Sequence, residues 1–174
     1  MQGVEVSLRS TIAASEDASL VLESIRKLFP SIPESVFGSK SFPHESGTRE
    51  LEYDSVDIET FLEHLSKQRI LDTAMDAMSR ELGKSHGTTR FHVSRQAALA
   101  GKVAFVLPGE KSLGGVIEVT LRGDDLPSWI EDVTHHPGRD SVPRTIDDEF
   151  KMDRDGSVSE WFDKEGNPVK KSEV

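Results

Sequence analysis

The residues best suited to chemistry lie between Glu81 and Glu110, a stretch without an acid in a chain of net charge −10. Four fixed cations occupy it, Lys84, Arg90, Arg95 and Lys102, together with His86, His92 and Gln96. Guanidinium and ammonium groups gathered in this way hold phosphate oxygens, and a glutamine or histidine among them reaches bases and sugars. Lys84, Arg90, His92, Arg95, Gln96 and Lys102 are therefore the candidate phosphate-contact set. The plainer alternative is a row of solvated side chains with Gln96 bracing a turn. No pair of surface aromatics alternates along a strand, so a base-stacking platform is not expected. The pattern suits shape and phosphate recognition and not the reading of a base sequence.

Other spacings fall short of a site. His135 and His136 follow Asp132 closely and carry metal-binding chemistry, but adjacent loop residues rarely face one ion. Asp153 and Asp155 precede Gly156 as in a calcium loop, yet that register places Lys151 and Phe162 at the end positions, where oxygen ligands belong. Gly109-Glu110-Lys111-Ser112 resembles a phosphate loop only in part. No nucleophile elbow, His-Glu-x-x-His or dinucleotide fingerprint occurs. Asp72 and Asp76 sit beside Arg69 and Arg80, where solvated ion pairing is their expected role. No catalytic residue, cofactor or metal is expected, and the chain reads as a non-enzyme.

The elements that must position the cations follow from periodicity. Val4, Val6, Leu8 and Ile12 alternate with polar residues and predict a half-buried strand over 4–12. Ser15 is the expected N-cap of a helix whose buried stripe is Ala18, Leu22, Ile25 and Phe29, ended by Pro30. Pro33, Gly38, Pro43 and Gly47 mark residues 31–47 as a loop. A weak strand over 48–53 turns Leu51 and Tyr53 inward. Ile58, Phe61, Leu62 and Leu65 predict a second helix. A bend or break at Ser66–Gln68 precedes a third, with Leu71, Ala74, Met78 and Leu82 on one face and Gly83 as its stop.

Phe91–Val93 and Val103–Leu107 read as strands, joined by a short helical turn over 94–102. That turn is expected to bring Arg95, Gln96 and Lys102 near one sheet edge. Ile117, Val119 and Leu121 alternate in a last strand over 116–122. A short helix over 127–133 is expected to pack Trp129 inward.

Several blocks of this region share order and spacing with one family. They are Arg69–Ala74, Phe91-His92-Val93-Ser94-Arg95-Gln96-Ala97-Ala98, Gly101-Lys102-Val103-Ala104-Phe105 and Leu113–Val119. The chain resembles, over residues 4–122, the archaeal RNA-binding-domain family, small proteins often described as predicted exosome subunits. That family reads an aromatic, Asn-Lys-Gln-Ala-Ala, then Gly-Lys-Val and an aromatic. Here Ser94 stands for Asn, and Arg95 for Lys, a planar fork in place of a point charge. The resemblance implies an antiparallel sheet with helices on one face, related in shape to the ribosomal protein that holds five-S RNA. It also implies RNA as partner, with RNA-processing complex subunits beside it.

Composition sets the outer bounds. The chain has 174 residues, 35% hydrophobic and 30% charged, with no cysteine. Disulfides and thiolate metal sites are excluded. No signal peptide or spanning segment is expected, and a cytoplasmic location is. The acidity disfavours a general polyanion binder, so any RNA contact must be local.

Residues 127–174 hold twelve acids against seven Lys or Arg, half of the net charge. They read as a partly ordered acidic extension to an α+β domain over 1–126, with a hairpin expected at 150–169. The leading expectation is RNA binding, with Arg95 and Lys102 on phosphates. The alternative is a protein-interaction adaptor that uses its sheet and acidic tail.

Overall fold

Strict alternation along the strands decides which face of the sheet is buried. Val6, Leu8, Ser10 and Ile12 are buried in β1 (Glu5–Ile12), whereas Glu5, Arg9 and Thr11 are exposed. The same parity buries Leu51 in β2 (Arg49–Tyr53), Thr89, Phe91 and Val93 in β3 (Thr88–Ser94), and Ile117, Val119 and Leu121 in β5 (Val116–Arg122). Period-2 side chains on one face of a pleated ladder give one dry and one wet surface. The computed structural model describes residues 3–34, 47–82, 86–146, 160–162 and 168–170. It divides into two compact units, Met1–His135 and His136–Val174.

In the first unit five antiparallel strands lie in the order β2-β1-β5-β3-β4, where β4 is Phe105–Val106. Helices α1 (Ala18–Leu28), α2 (Glu59–Gln68), α3 (Leu71–Ser79) and α4 (Arg95–Leu99) cover the dry face. Phe29, just past α1, stacks on Phe61 of α2 at 5.4 Å, and Phe61 stacks on Phe91 of β3 at 5.9 Å. Thr89 of β3 donates its hydroxyl to the Met78 carbonyl of α3 at 2.6 Å. Helix α5 (Leu126–Val133) packs against α3. The expected α+β class, with a mainly antiparallel sheet and helices, is what the fold shows.

Local chemistry moved several boundaries. Asp17, not Ser15, caps α1, because its carboxylate accepts the Ser19 N–H at 2.8 Å. The break between α2 and α3 falls at Arg69, which takes φ +58°. The expected strand over 103–107 shrinks to two residues. The backbone of Val103 is held at both ends by the Gln68 side-chain amide, and the Leu107 N–H goes to Glu110, so neither joins a ladder. Leu126 and Ile130 are the fully buried residues of α5, while Trp129 is half-buried. Gly83 and most of the loop over 31–47 lie outside the described residues.

Helix α5 belongs with the sheet, so the compact unit extends past residue 126. In the second unit a 3-10 turn spans Pro137–Asp140, and β6 (Glu160–Phe162) pairs antiparallel with β7 (Pro168–Lys170). Residues 163–167 of the hairpin expected at 150–169 and the aspartates of the calcium-like segment lie outside the described residues. Among the described residues no helix is long and apolar enough to cross a membrane.

Candidate nucleic-acid interface

Strand β3 sends its two charged side chains to the wet face by parity. Arg90 and His92 alternate with Thr89, Phe91 and Val93, so both stand on the surface without helices. The register sets their neighbours. One row across the sheet reads Glu52, Arg9, Glu118, His92 and Val106; the next reads Ser7, Thr120 and Arg90; a third reads Glu5, Arg122 and Thr88. Arg9 pairs with Glu52 at 2.7 Å. Glu118 lies 3.3 Å from His92 and 3.6 Å from Arg90. The wet face is therefore mixed in charge: Arg9 and Arg90 are equally open to solvent, and acids stand on β1, β2 and β5 alike, with Arg9 the one held by a close carboxylate.

At Ser94 the strand gives way to a helix, and the next arginine changes face. The Ser94 hydroxyl accepts the Ala97 N–H at 3.3 Å and caps α4. Serine and asparagine both cap well, so the Ser94 departure from the family pattern keeps this role. Arg95 then turns beneath the sheet and is 5% exposed. Its guanidinium donates to the Gly114 carbonyl at 2.6 Å, the Thr11 carbonyl at 2.8 Å, the Ser10 hydroxyl at 3.4 Å and the Glu16 carboxylate at 2.5 Å.

Burial raises the Glu16 carboxyl, but the Ala13 N–H together with the hydrogen bond and charge of Arg95 outweigh it and hold the group below its ordinary value. Gly115, at φ +77°, leaves the space that the guanidinium fills. Arg95 is thus a satisfied internal cation, and the expectation that it holds phosphate is corrected on that ground.

The remaining candidates do not share one surface. Gln96 is exposed on α4, beside a groove of about 230 Å³ rimmed by Leu20, Leu99 and Leu113. Lys102 is exposed just after α4, next to the Val103 backbone that α2 holds. Lys84 lies outside the described residues. The sequence window therefore splits into a wet-face pair, a helical-layer pair and one buried ion pair.

Sequence reasoning missed Arg122, Thr88 and Thr120, which β3 and β5 bring beside Arg90. The alternation of 116–122 was the signal available, since it placed Thr120 and Arg122 opposite the apolar side. Among the described residues no three His, Asp or Glu side chains gather as a metal site. The His136 ring instead accepts the Gly138 N–H at 3.2 Å.

Fold and surface define a class: a five-stranded antiparallel α+β protein whose first unit carries no helix on one sheet face among the described residues. The UPF0201 protein of Sulfurisphaera tokodaii is 31% identical over 134 residues, spanning 75% of this chain and 84% of that protein. The chain belongs to the archaeal UPF0201 family. A UPF0200/UPF0201 protein of Archaeoglobus fulgidus is 28% identical over 126 residues, which make up 72% of this chain but only 35% of that longer relative. The crystal structure of a Methanococcus jannaschii UPF0201 protein superposes with a TM-score of 0.62 at 26% identity, covering 75% of this chain and 99% of that one. No family model matches the sequence.

Proposed function

We propose that this chain is a non-enzymatic RNA-binding protein that meets structured RNA with the wet face of its sheet. One observation carries the reading. All four helices α1–α4 pack on the other side, and the uncovered strands β3 and β5 present Arg90 and Arg122 among hydroxyls. Arginine forks and hydroxyls position a phosphate backbone without reading sequence. The resemblance to the RNA-binding-domain family supports the same partner, as does its likeness in shape to the ribosomal protein that holds five-S RNA. A role as an accessory of RNA processing or decay, alongside complex subunits, follows from that resemblance. Lys84 precedes β3 and extends the cationic stretch in sequence. Gln96 and Lys102 contribute from the helical layer only where the RNA wraps the β3 end of the sheet.

The test is a titration of the full chain with a labelled RNA hairpin at low and raised salt. Saturable binding that falls linearly in log affinity against log salt is expected. No binding at low salt overturns the reading.

One observation favours an adaptor instead. Leu20, Leu99 and Leu113 are 49%, 36% and 83% exposed around one groove. Clustered exposed leucines mark contact surfaces. Because α5 belongs to the first unit, the second unit is removed by truncation after His135. The groove stays in place in that truncation, so Leu99→Asp with Leu113→Asp tests it: loss of protein capture with RNA binding retained in this variant assigns the adaptor role to the groove, and the same loss in the truncation assigns it to the second unit.

A further inference from the structure

We propose that Arg90, Arg122, Thr88 and Thr120 form a phosphate site on the wet face of β3 and β5. This rests on the RNA reading only for the source of the phosphate, a phosphodiester of the bound strand. The register carries it. Thr88 is paired with Arg122, and Arg90 with Thr120, in two adjacent same-face positions of one antiparallel ladder. Directly opposed residues stand about 4.5–5.5 Å apart at Cβ and diagonal ones about 7–8 Å. The four therefore form a small quadrilateral, with arginines on one diagonal and threonines on the other. Two long guanidinium stems rooted at opposite corners can close on one tetrahedral oxyanion between them.

The chemistry at the corners is matched to phosphate. Each guanidinium offers parallel N–H donors at the spacing of two phosphate oxygens, and each threonine adds an O–H. Arg122 and both threonine hydroxyls hold no side-chain partner among the described residues, so binding breaks no bond of theirs. Arg90 is 54% exposed, and its Glu118 contact of 3.6 Å is too long for a hydrogen bond. Glu118 is closer to His92, at 3.3 Å, which leaves Arg90 able to turn to a stronger acceptor. Ser7 stands opposite Thr120 and extends the hydroxyl row toward β1.

Two carboxylates bound the site. Glu118 lies two residues before Thr120 on β5, and Glu5 is paired with Arg122 from β1. They cancel the long-range field, so the site binds through local donors and not through net charge. That accounts for a phosphate site on a chain of charge −10.

The experiment uses the full chain and two probes. With an RNA hairpin at low salt, Arg90→Gln combined with Arg122→Gln should weaken binding at least ~10-fold and lower the salt slope by about one. Thr120→Val should weaken it a few-fold, and Lys27→Gln, on the exposed side of α1 behind the sheet, by less than about two-fold. With inorganic phosphate, monitored by amide chemical shifts against a chloride control, residues 88, 90, 120 and 122 should move together in the wild type and stay still in the double variant.

Hairpin binding unchanged in the double variant, with no phosphate shifts at those amides, overturns the site and leaves the RNA reading standing. Phosphate shifts at the four amides without hairpin binding keep the site and overturn the RNA reading. Correct folding of the variants is checked by the dispersion of the remaining amide signals.

Discussion

Arg90 and Arg95 are five residues apart in one acid-free stretch of this sequence and meet opposite surroundings. Arg90 stands on the wet face, with half of its side chain in water and one loose carboxylate neighbour. Arg95 is turned under the sheet, with four internal acceptors and almost no exposure. Strand parity explains the first and the strand-to-helix switch at Ser94 the second. The comparison teaches that a cation's residue type does not fix its role; the number of acceptors the fold aims at it does. A buried guanidinium needs all its partners, because any shortfall leaves charge in a poor solvent. An exposed one keeps water as its partner and remains available.

The sharpest way to break that contrast is to remove each arginine's carboxylate. Glu16→Ala leaves the Arg95 cation without its counter-charge in the interior. A loss of about 3 kcal/mol is expected, the low end for a broken buried pair because Glu16 itself touches solvent. Glu118→Ala should cost less than about 1 kcal/mol, as exposed pairs do. Denaturant midpoints of the two variants give the comparison, and equal losses would remove the structural role assigned to Arg95.

The same pair sets an acid limit on stability. The folded-state Glu16 carboxyl lies below its ordinary value, so its contribution is fully present above the unfolded pKa, about 4.3, and is lost as pH falls through the folded one. Glu16→Gln should therefore flatten the acid limb of a stability–pH curve and leave the neutral limb parallel to wild type. An unchanged acid limb would show that Glu16 is not held down by its partners.

Legibility follows the same line. The strands over 4–12, 91–93 and 116–122 and the helices at 18–28 and 71–79 were readable because one periodic stripe decides each. The wet-face position of Arg90 was implicit in that alternation. The inward turn of Arg95 was not, since Glu16 is 79 residues away and Thr11 is 84, and no local pattern reports such distances. The Gly114-Gly115 step was a partial signal, a place where backbone had to leave room. The strand expected at 103–107 was cut back to Phe105–Val106, its start taken by the Gln68 amide, another partner remote in sequence.

That glycine step offers a smaller test. Both Gly115 and Gly109 have positive φ, +77° and +84°, a conformation that costs a Cβ-bearing residue about 1 kcal/mol. At Gly109 an added methyl meets nothing within 4 Å, so Gly109→Ala should lose only that amount. At Gly115 the methyl would run into the Arg95 guanidinium, which is bonded on every side and cannot give way. Gly115→Ala should therefore lose about 2 kcal/mol or more in the same denaturant assay. Equal losses at the two glycines would mean that Arg95 is mobile and not packed in place.

The smallest effect is expected where the helix face holds a polar group that is not satisfied. The Tyr53 hydroxyl oxygen is buried and has no hydrogen-bond partner among the described residues, and burial raises its pKa. Arg95 and Tyr53 are thus two polar groups on the dry side of one sheet, one with four of its five N–H donors engaged and one with its hydroxyl idle among the described residues. Deleting an idle buried hydroxyl removes a desolvation penalty along with a little packing, and the two nearly cancel. Tyr53→Phe should change stability by no more than about 0.5 kcal/mol, with a slight gain the expected sign. A loss above about 1 kcal/mol would reveal an acceptor for that hydroxyl in solution, and the contrast with Arg95 would then be one of degree.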